Sequence, residues 1–154
     1  GIDKVTFLFS ANKGEQPKPL SRVASGGELS RIMLALKGIL AELDDLPVLI
    51  FDEVDAGIGG RTAEHVGIRL KNLAKRHQVL CITHLPQIAA MADNHIMIEK
   101  AQKKEGVCVK VKSLSIEERE EEIARMLSGK ITEISLEHAR ELLDRGNQRG
   151  LRFS

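Results

Sequence analysis

The feature that most constrains this chain lies in its middle. Two short apolar runs, Pro47-Val48-Leu49-Ile50-Phe51 and Gln78-Val79-Leu80-Cys81-Ile82-Thr83, flank one segment, residues 61–76 (RTAEHVGIRLKNLAKR). In that segment Ala63, Val66, Leu70 and Leu73 recur at helical spacing. Continuous apolar runs of this length suit strands covered on both faces of a parallel sheet. Strand, helix and strand in that order make a crossover unit. The spacing therefore predicts an α/β fold, a mostly parallel sheet flanked by helices, with right-handed connections. Each run also ends in polar chemistry, Asp52-Glu53 in one case and His84 in the other. The carboxyl edge of such a sheet is where α/β proteins bind their ligands.

The rest of the chain fits around that unit. Residues 4–10 (KVTFLFS) alternate loosely as a strand, and Asn12 to Pro19 read as a polar loop. A helix is expected from about Gly27 to Leu43, with Leu29, Ile32, Met33, Leu36, Leu40 and Leu43 on one stripe. Pro86 to Ala92 reads as a short helix with proline in its first turn. His95 to Glu99 and Val107 to Leu114 read as a β-hairpin joined by the turn KAQKKEG. Ser115-Ile116-Glu117-Glu118 is a capping box opening a helix that Gly129 stops. Ser135 is expected to start the last helix and Gly146 to end it. Residues 147–154 read as a disordered tail on a single unit spanning 1–154.

Composition narrows the function. The 154 residues are 42% hydrophobic, enough for a core, and their formal net charge of +1 gives no steering toward nucleic acid or membrane. No apolar run approaches a membrane span, and none reads as a signal peptide. Cys81 and Cys108 sit in β-like apolar runs without C-x-x-C spacing, so they read as reduced, buried thiols of a cytoplasmic protein. The run EEREEE (117–122) reads as a solvated helix face. With no Trp or Tyr, base stacking has little support.

Three elements carry chemistry. The first is ASGGELSR (24–31), ahead of the long helix. Ser25 and Glu28 have capping-box spacing, but that leaves Gly26-Gly27 unexplained. Residues without Cβ let a backbone approach closely, and a helix N-terminus favours an anion, so the glycines point to a phosphate held against Ser25, Gly26 and Gly27. The second is the acid pair Asp52-Glu53 at the end of VLIF. One carboxylate can hold Mg²⁺ and the other can orient and deprotonate a water. The third is His84, which the parallel arrangement brings to the same rim, where it can contact a terminal phosphate. His65, His77, His95 and His138 lack metal-ligand spacing and read as surface residues. Gly57-Ile58-Gly59-Gly60 fails the dinucleotide fingerprint, because Thr62 stands where its third glycine belongs. No G-x-x-x-x-G-K-[ST] occurs, so the chain has acids and an anion-binding helix but no cradle for the α- and β-phosphates.

In this order and spacing the motifs resemble the C-terminal lobe of an ABC-type ATPase head. ASGGE resembles the signature motif, VLIFDE Walker B, Val54-Asp55-Ala56-Gly57 the D-loop, and His84 the switch histidine. The resemblance covers residues 3–146 and points to the SMC-like branch, whose heads are interrupted by a long coiled coil. That would place Walker A in a separate N-terminal half. The family implies ATP and Mg²⁺ as cofactors, with Asp52 coordinating Mg²⁺, Glu53 as general base and His84 sensing the γ-phosphate. Ser25, Gly26 and Gly27 would meet the γ-phosphate of ATP on a second head, in an ATP-sandwich homodimer, with Glu28 among the cofactor-binding residues, and Asp55 would act across the same interface. The implied whole is a bacterial, nucleoid-associated ATPase of DNA double-strand-break repair, with this chain inactive on its own. A head of another SMC-like ATPase, a self-sufficient metal hydrolase and a non-enzymatic DNA-binding or dimerisation module are the rivals. For DNA binding, the segment Lys100 to Lys112 carries five Lys and one Glu.

Overall fold

The computed structural model describes residues 4–10, 13–22, 25–40, 46–103 and 106–149. The strand–helix–strand unit forms as the spacing requires. Strand β3 (Val48–Phe51) and strand β4 (Gln78–Cys81) pair in parallel, Val48 opposite Gln78 and Phe51 opposite Cys81. Helix α2 (Gly60–Leu73) connects them and buries Ala63, Val66, Gly67, Leu70 and Leu73, the stripe its period predicts. Ahead of this unit a two-residue antiparallel ladder, β1 (Leu8–Phe9) with β2 (Lys18–Pro19), is all that forms of the strand expected over 4–10. Helix α1 (Gly26–Leu40) packs on α2, and the residues expected to complete it, 41–43, lie outside the described ones.

The mostly parallel sheet is not what the described residues build. They make three two-stranded sheets, of which only β3–β4 is parallel. Among the described residues the β3–β4 pair is also covered on one face only. Leu49 and Phe51 point into the core beside Val79 and Cys81, while Ile50 is 69% and Ile82 58% exposed. Helix α1 shows the same half-open character. The predicted stripe leaves Leu29, Met33 and Leu40 exposed, and the buried face is Gly27 and Leu34, one helical face away.

The second half adds a hairpin and a packed pair of helices. Helix α3 (Pro86–Ala89) leads to the hairpin of β5 (Ile96–Lys103) and β6 (Gly106–Ser113). The strands run into the segment read as a turn, because β-pairing continues through Lys100 to Lys103. Helix α4 (Ile116–Ser128) opens with the expected capping box: Glu118 N–H donates to Ser115 Oγ at 3.3 Å, and Ser115 N–H to Glu118 Oε2 at 3.1 Å. Gly129 stops it at φ 73°, a left-handed cap. The acidic run is not simply solvated: Glu118 pairs with Lys112 and Glu120 with Arg140, while half-buried Arg119 donates to the carbonyl of Ala92 at 2.7 Å.

Helix α5 (Glu133–Arg149) departs from its predicted ends for two local reasons. Thr132, not Ser135, is the cap: Ser135 N–H donates to Thr132 Oγ1 at 3.2 Å, and Thr132 N–H returns to Ser135 Oγ at 2.8 Å. Gly146 does not end the helix. It lies buried inside it, and a Cβ there would collide with the Ala90 carbonyl, so this glycine serves a close approach of α5 to the end of α3. Residues 147–149 are therefore helical rather than tail, and 150–154 lie outside the described residues. Ile123, Ala124 and Ala139, none with exposed surface, form the centre of this α4–α5 core.

Candidate active site

The parallel register brings the two strand exits to one rim. Ile82 N–H continues the ladder to the Phe51 carbonyl at 2.9 Å, so Asp52-Glu53 and Thr83-His84 leave side by side. Asp52, Glu53 and His84 are all exposed there. Asp52 Oδ1 accepts the Glu53 N–H at 2.9 Å, which fixes that carboxylate at the strand end. Burial, together with the negative charges of Asp55 and Asp52, pushes the Cys81 thiol up to about 12, so Cys81 is an inert neighbour of the acids.

Glu53 has φ 57°, and no other described non-glycine residue has a positive φ. Left-handed backbone at a residue with a Cβ costs on the order of 1–3 kcal/mol and persists where surrounding contacts enforce it. Those contacts come from the start of α1. A Cβ on Gly26 would collide with Glu53 Oε2, and one on Gly27 would lie 2.7 Å from Ala56 Cβ and 2.9 Å from the Glu53 carbonyl. The glycine pair is thus explained inside this chain. Its bareness admits the chain's own acid turn.

Ser25 remains exposed beside them, its hydroxyl accepting the Glu28 N–H at 3.2 Å as an N-cap. Gly26 and Gly27 occupy the first turn, where backbone N–H groups have no acceptor within the helix. The start of α1 and the Glu53 carboxylate are therefore neighbours within one chain.

Asp55, expected to act across an interface, is held by contacts within its own chain. It is 4% exposed, and one oxygen, Oδ2, takes Thr83 Oγ1 at 2.6 Å, His84 N–H at 2.8 Å and His84 Nδ1 at 3.0 Å. These contacts make the carboxylate an anchor of the β4 exit. Burial pushes its acidity toward the neutral form, but the hydrogen bonds from Thr83 and His84 and the charge of His84 outweigh that and hold it below the ordinary aspartate value. Against this acceptor His84 Nδ1 carries the proton, leaving the outer edge of an exposed ring toward solvent.

Among the other histidines, His65 and His138 are exposed, as expected. His77 is buried, Nδ1 bonded to the Leu46 carbonyl at 2.7 Å, and His95 is half-buried, because each lies where a helix or loop meets a strand. Burial first, and the Arg119 charge second, hold His95 below its ordinary value. Among the described residues no three His, Cys, Asp or Glu cluster as a metal site. Asp52 is a hard oxygen donor suited to Mg²⁺, but it would need further ligands from phosphate or water.

Sequence reasoning missed Ser30, Arg31 and Thr83. Ser30 Oγ donates to the Asp52 carbonyl at 2.7 Å, and Arg31 Nη1 to the carbonyls of Ala56 at 2.8 Å and Val54 at 3.3 Å. The signal for Arg31 was present: it falls between Gly27 and Leu34 on the buried face, where a cation must find acceptors.

No protein-family model matches the chain. The chain is 51% identical, over 94% of its length, to the DNA repair protein RecN of Halalkalibacterium halodurans, covering 26% of that protein. It is 50% identical over 96% of its length to RecN of Bacillus subtilis, again 26% of the relative, and 54% identical over 93% to that of Deinococcus radiodurans, 25% of the relative. The chain thus spans about a quarter of the length of the curated relatives it matches. A solved structure described as "Structural biochemistry of ATP-driven dimerization and DNA stimulated activation of SMC ATPases" is similar with a TM-score of 0.50 and 27% identity, over 77% of this chain and 70% of that one. With half its residues identical over nearly its whole length, the chain belongs to the family of the DNA repair protein RecN, of which it is a segment.

Proposed function

We propose that this chain is the C-terminal, signature-bearing part of an ATPase head, contributing half of a composite nucleotide site in a DNA double-strand-break repair protein. One observation supports this reading above the others: exposed Asp52, Glu53 and His84 share one rim, and the glycine-bearing start of α1 lies against Glu53. The cradle for the nucleotide is then supplied by another segment carrying Walker A, in keeping with the absence of G-x-x-x-x-G-K-[ST] from this sequence.

In the proposed reaction Asp52 holds Mg²⁺ together with phosphate oxygens. The ion, when bound, supplies charge neutralisation at the transferring phosphoryl group. Glu53 orients the attacking water and accepts its proton. His84, set by Asp55 through Nδ1, presents its other nitrogen to the γ-phosphate. Ser25 and the N–H groups of Gly26 and Gly27 meet the γ-phosphate of ATP held by a second head, so that two heads close on two nucleotides. Hydrolysis then releases them, a cycle that would work on DNA in the cytoplasm. The relatives' name, and the SMC ATPase described by dimerisation and DNA stimulation, favour this over the metal-hydrolase and binding-module readings.

In the full-length protein, Glu53→Gln should slow phosphate release by about 10²-fold or more, with ATP binding retained and closed dimers accumulating in sedimentation. Ser25→Arg should keep ATP binding and lose ATP-driven dimerisation. Wild-type turnover in Glu53→Gln removes Glu53 from the mechanism, and persistent dimerisation in Ser25→Arg removes the signature from the interface.

A further inference from the structure

We propose that Arg31, with Ser30 beside it, is a positioning residue for Glu53, holding the acid turn in its left-handed form from the first turns of α1; this rests on the ATPase reading above. Three alternate carbonyls of the turn, from Asp52, Val54 and Ala56, are met by two consecutive residues of the helix. Ser30 Oγ takes the first at 2.7 Å, and Arg31 Nη1 takes the other two at 3.3 and 2.8 Å. These carbonyls bracket Glu53, which has φ 57°. The turn's own hydrogen bond, Ala56 N–H to the Glu53 carbonyl at 3.0 Å, closes it from inside and the guanidinium from outside. Val54 has no exposed surface, so without Arg31 its carbonyl sits where water has poor access and the turn has reason to rearrange. Rearrangement would swing the Glu53 side chain off Gly26, because the backbone angle at Glu53 sets the direction of its Cβ. The helix that would receive a neighbour's phosphate therefore also aims this chain's own acid, and the two functions are joined through one side chain.

The test uses the full-length protein with ATP. Arg31→Ala should lower kcat for phosphate release ten- to a hundredfold, the scale of a misplaced reacting group, with KM for ATP within twofold of wild type. Arg31→Lys should recover part of the rate, since an ammonium reaches one of the two carbonyls and lacks the planar fork. The decisive comparison is in a Glu53→Gln background: a residue that acts only through Glu53 adds no further loss there, so the double variant should turn over within twofold of Glu53→Gln alone. A loss that multiplies in the double variant, or a wild-type kcat in Arg31→Ala, overturns the proposal while leaving the ATPase reading intact. Wild-type kcat in Glu53→Gln overturns both. Thermal unfolding checks each variant, and if Arg31→Ala fails to fold, Arg31→Lys and Ser30→Ala carry the same comparison, with smaller losses that must also vanish in the Glu53→Gln background.

Discussion

Ile123, Ala124 and Ala139 have no exposed surface, whereas Ile50 and Ile82, on the strand exits that carry the acids and the histidine, are 69% and 58% exposed. The α4–α5 end is finished locally. Its helix starts are capped by Ser115 and Thr132, its stop is a left-handed glycine, and its core is filled from neighbouring turns. The β3–β4 end is polar where it is ordered and apolar where it is bare. Its turn is fixed by the carbonyl contacts of Ser30 and Arg31 and by the Asp55 anchor, while one face of its sheet has no cover among the described residues. Both ends bury a core, Val54 and Ala63 as completely as Ile123, so the difference lies in what stays bare: the strands that carry the acids and the histidine bury one face under α1 and α2 and leave the other uncovered among the described residues.

That contrast can be broken by experiment. Ile123→Ala in the α4–α5 core should cost about 2–5 kcal/mol in urea unfolding, because Ile123 has no exposed surface. A loss near zero would mean that this core is looser than its burial indicates. Asp55→Asn should cost about 1–3 kcal/mol near neutral pH, since it weakens charge-assisted hydrogen bonds in a buried site. Its pH dependence has a definite sign. The folded-state acidity of Asp55 is depressed, so its contribution is full above the ordinary aspartate range and is lost as pH falls through the lower folded value. Wild type and Asp55→Asn should therefore converge in stability below about pH 4, and a gap that widens in acid contradicts the anchor. Ile50→Ser should be the smallest effect, within about 0.5 kcal/mol in this chain. In the full-length protein the same substitution should become costly, as another segment covers the sheet. Equal, negligible effects in both would leave the face uncovered there too.

The sequence announced the elements whose signals are local. The α2 stripe, the Ser115 capping box, the Gly129 stop and the two apolar strands could each be read within a dozen residues. Elements set by long-range contact were illegible. Gly146 looks like a helix end until Ala90 is known to lie against it, and α1 looks amphipathic along Leu29–Met33–Leu36 because its real buried face contains a glycine and an arginine. At the site, the placement of Asp52, Glu53, His84 and Ser25 at strand and helix ends was legible from position. The contacts of Asp55 within this chain were not legible, since no spacing reveals that Thr83 and the His84 backbone fold back onto it across 28 and 29 residues.

The crowding of Gly26 and Gly27 against Glu53 and Ala56 has a consequence for any mutational scan of this motif. A side chain at either glycine would unseat the acid before it met an incoming anion, so inactivity there reports a jammed turn as readily as a lost ligand. Ser25, whose hydroxyl serves the helix start and not the acid loop, is the position where the two causes come apart.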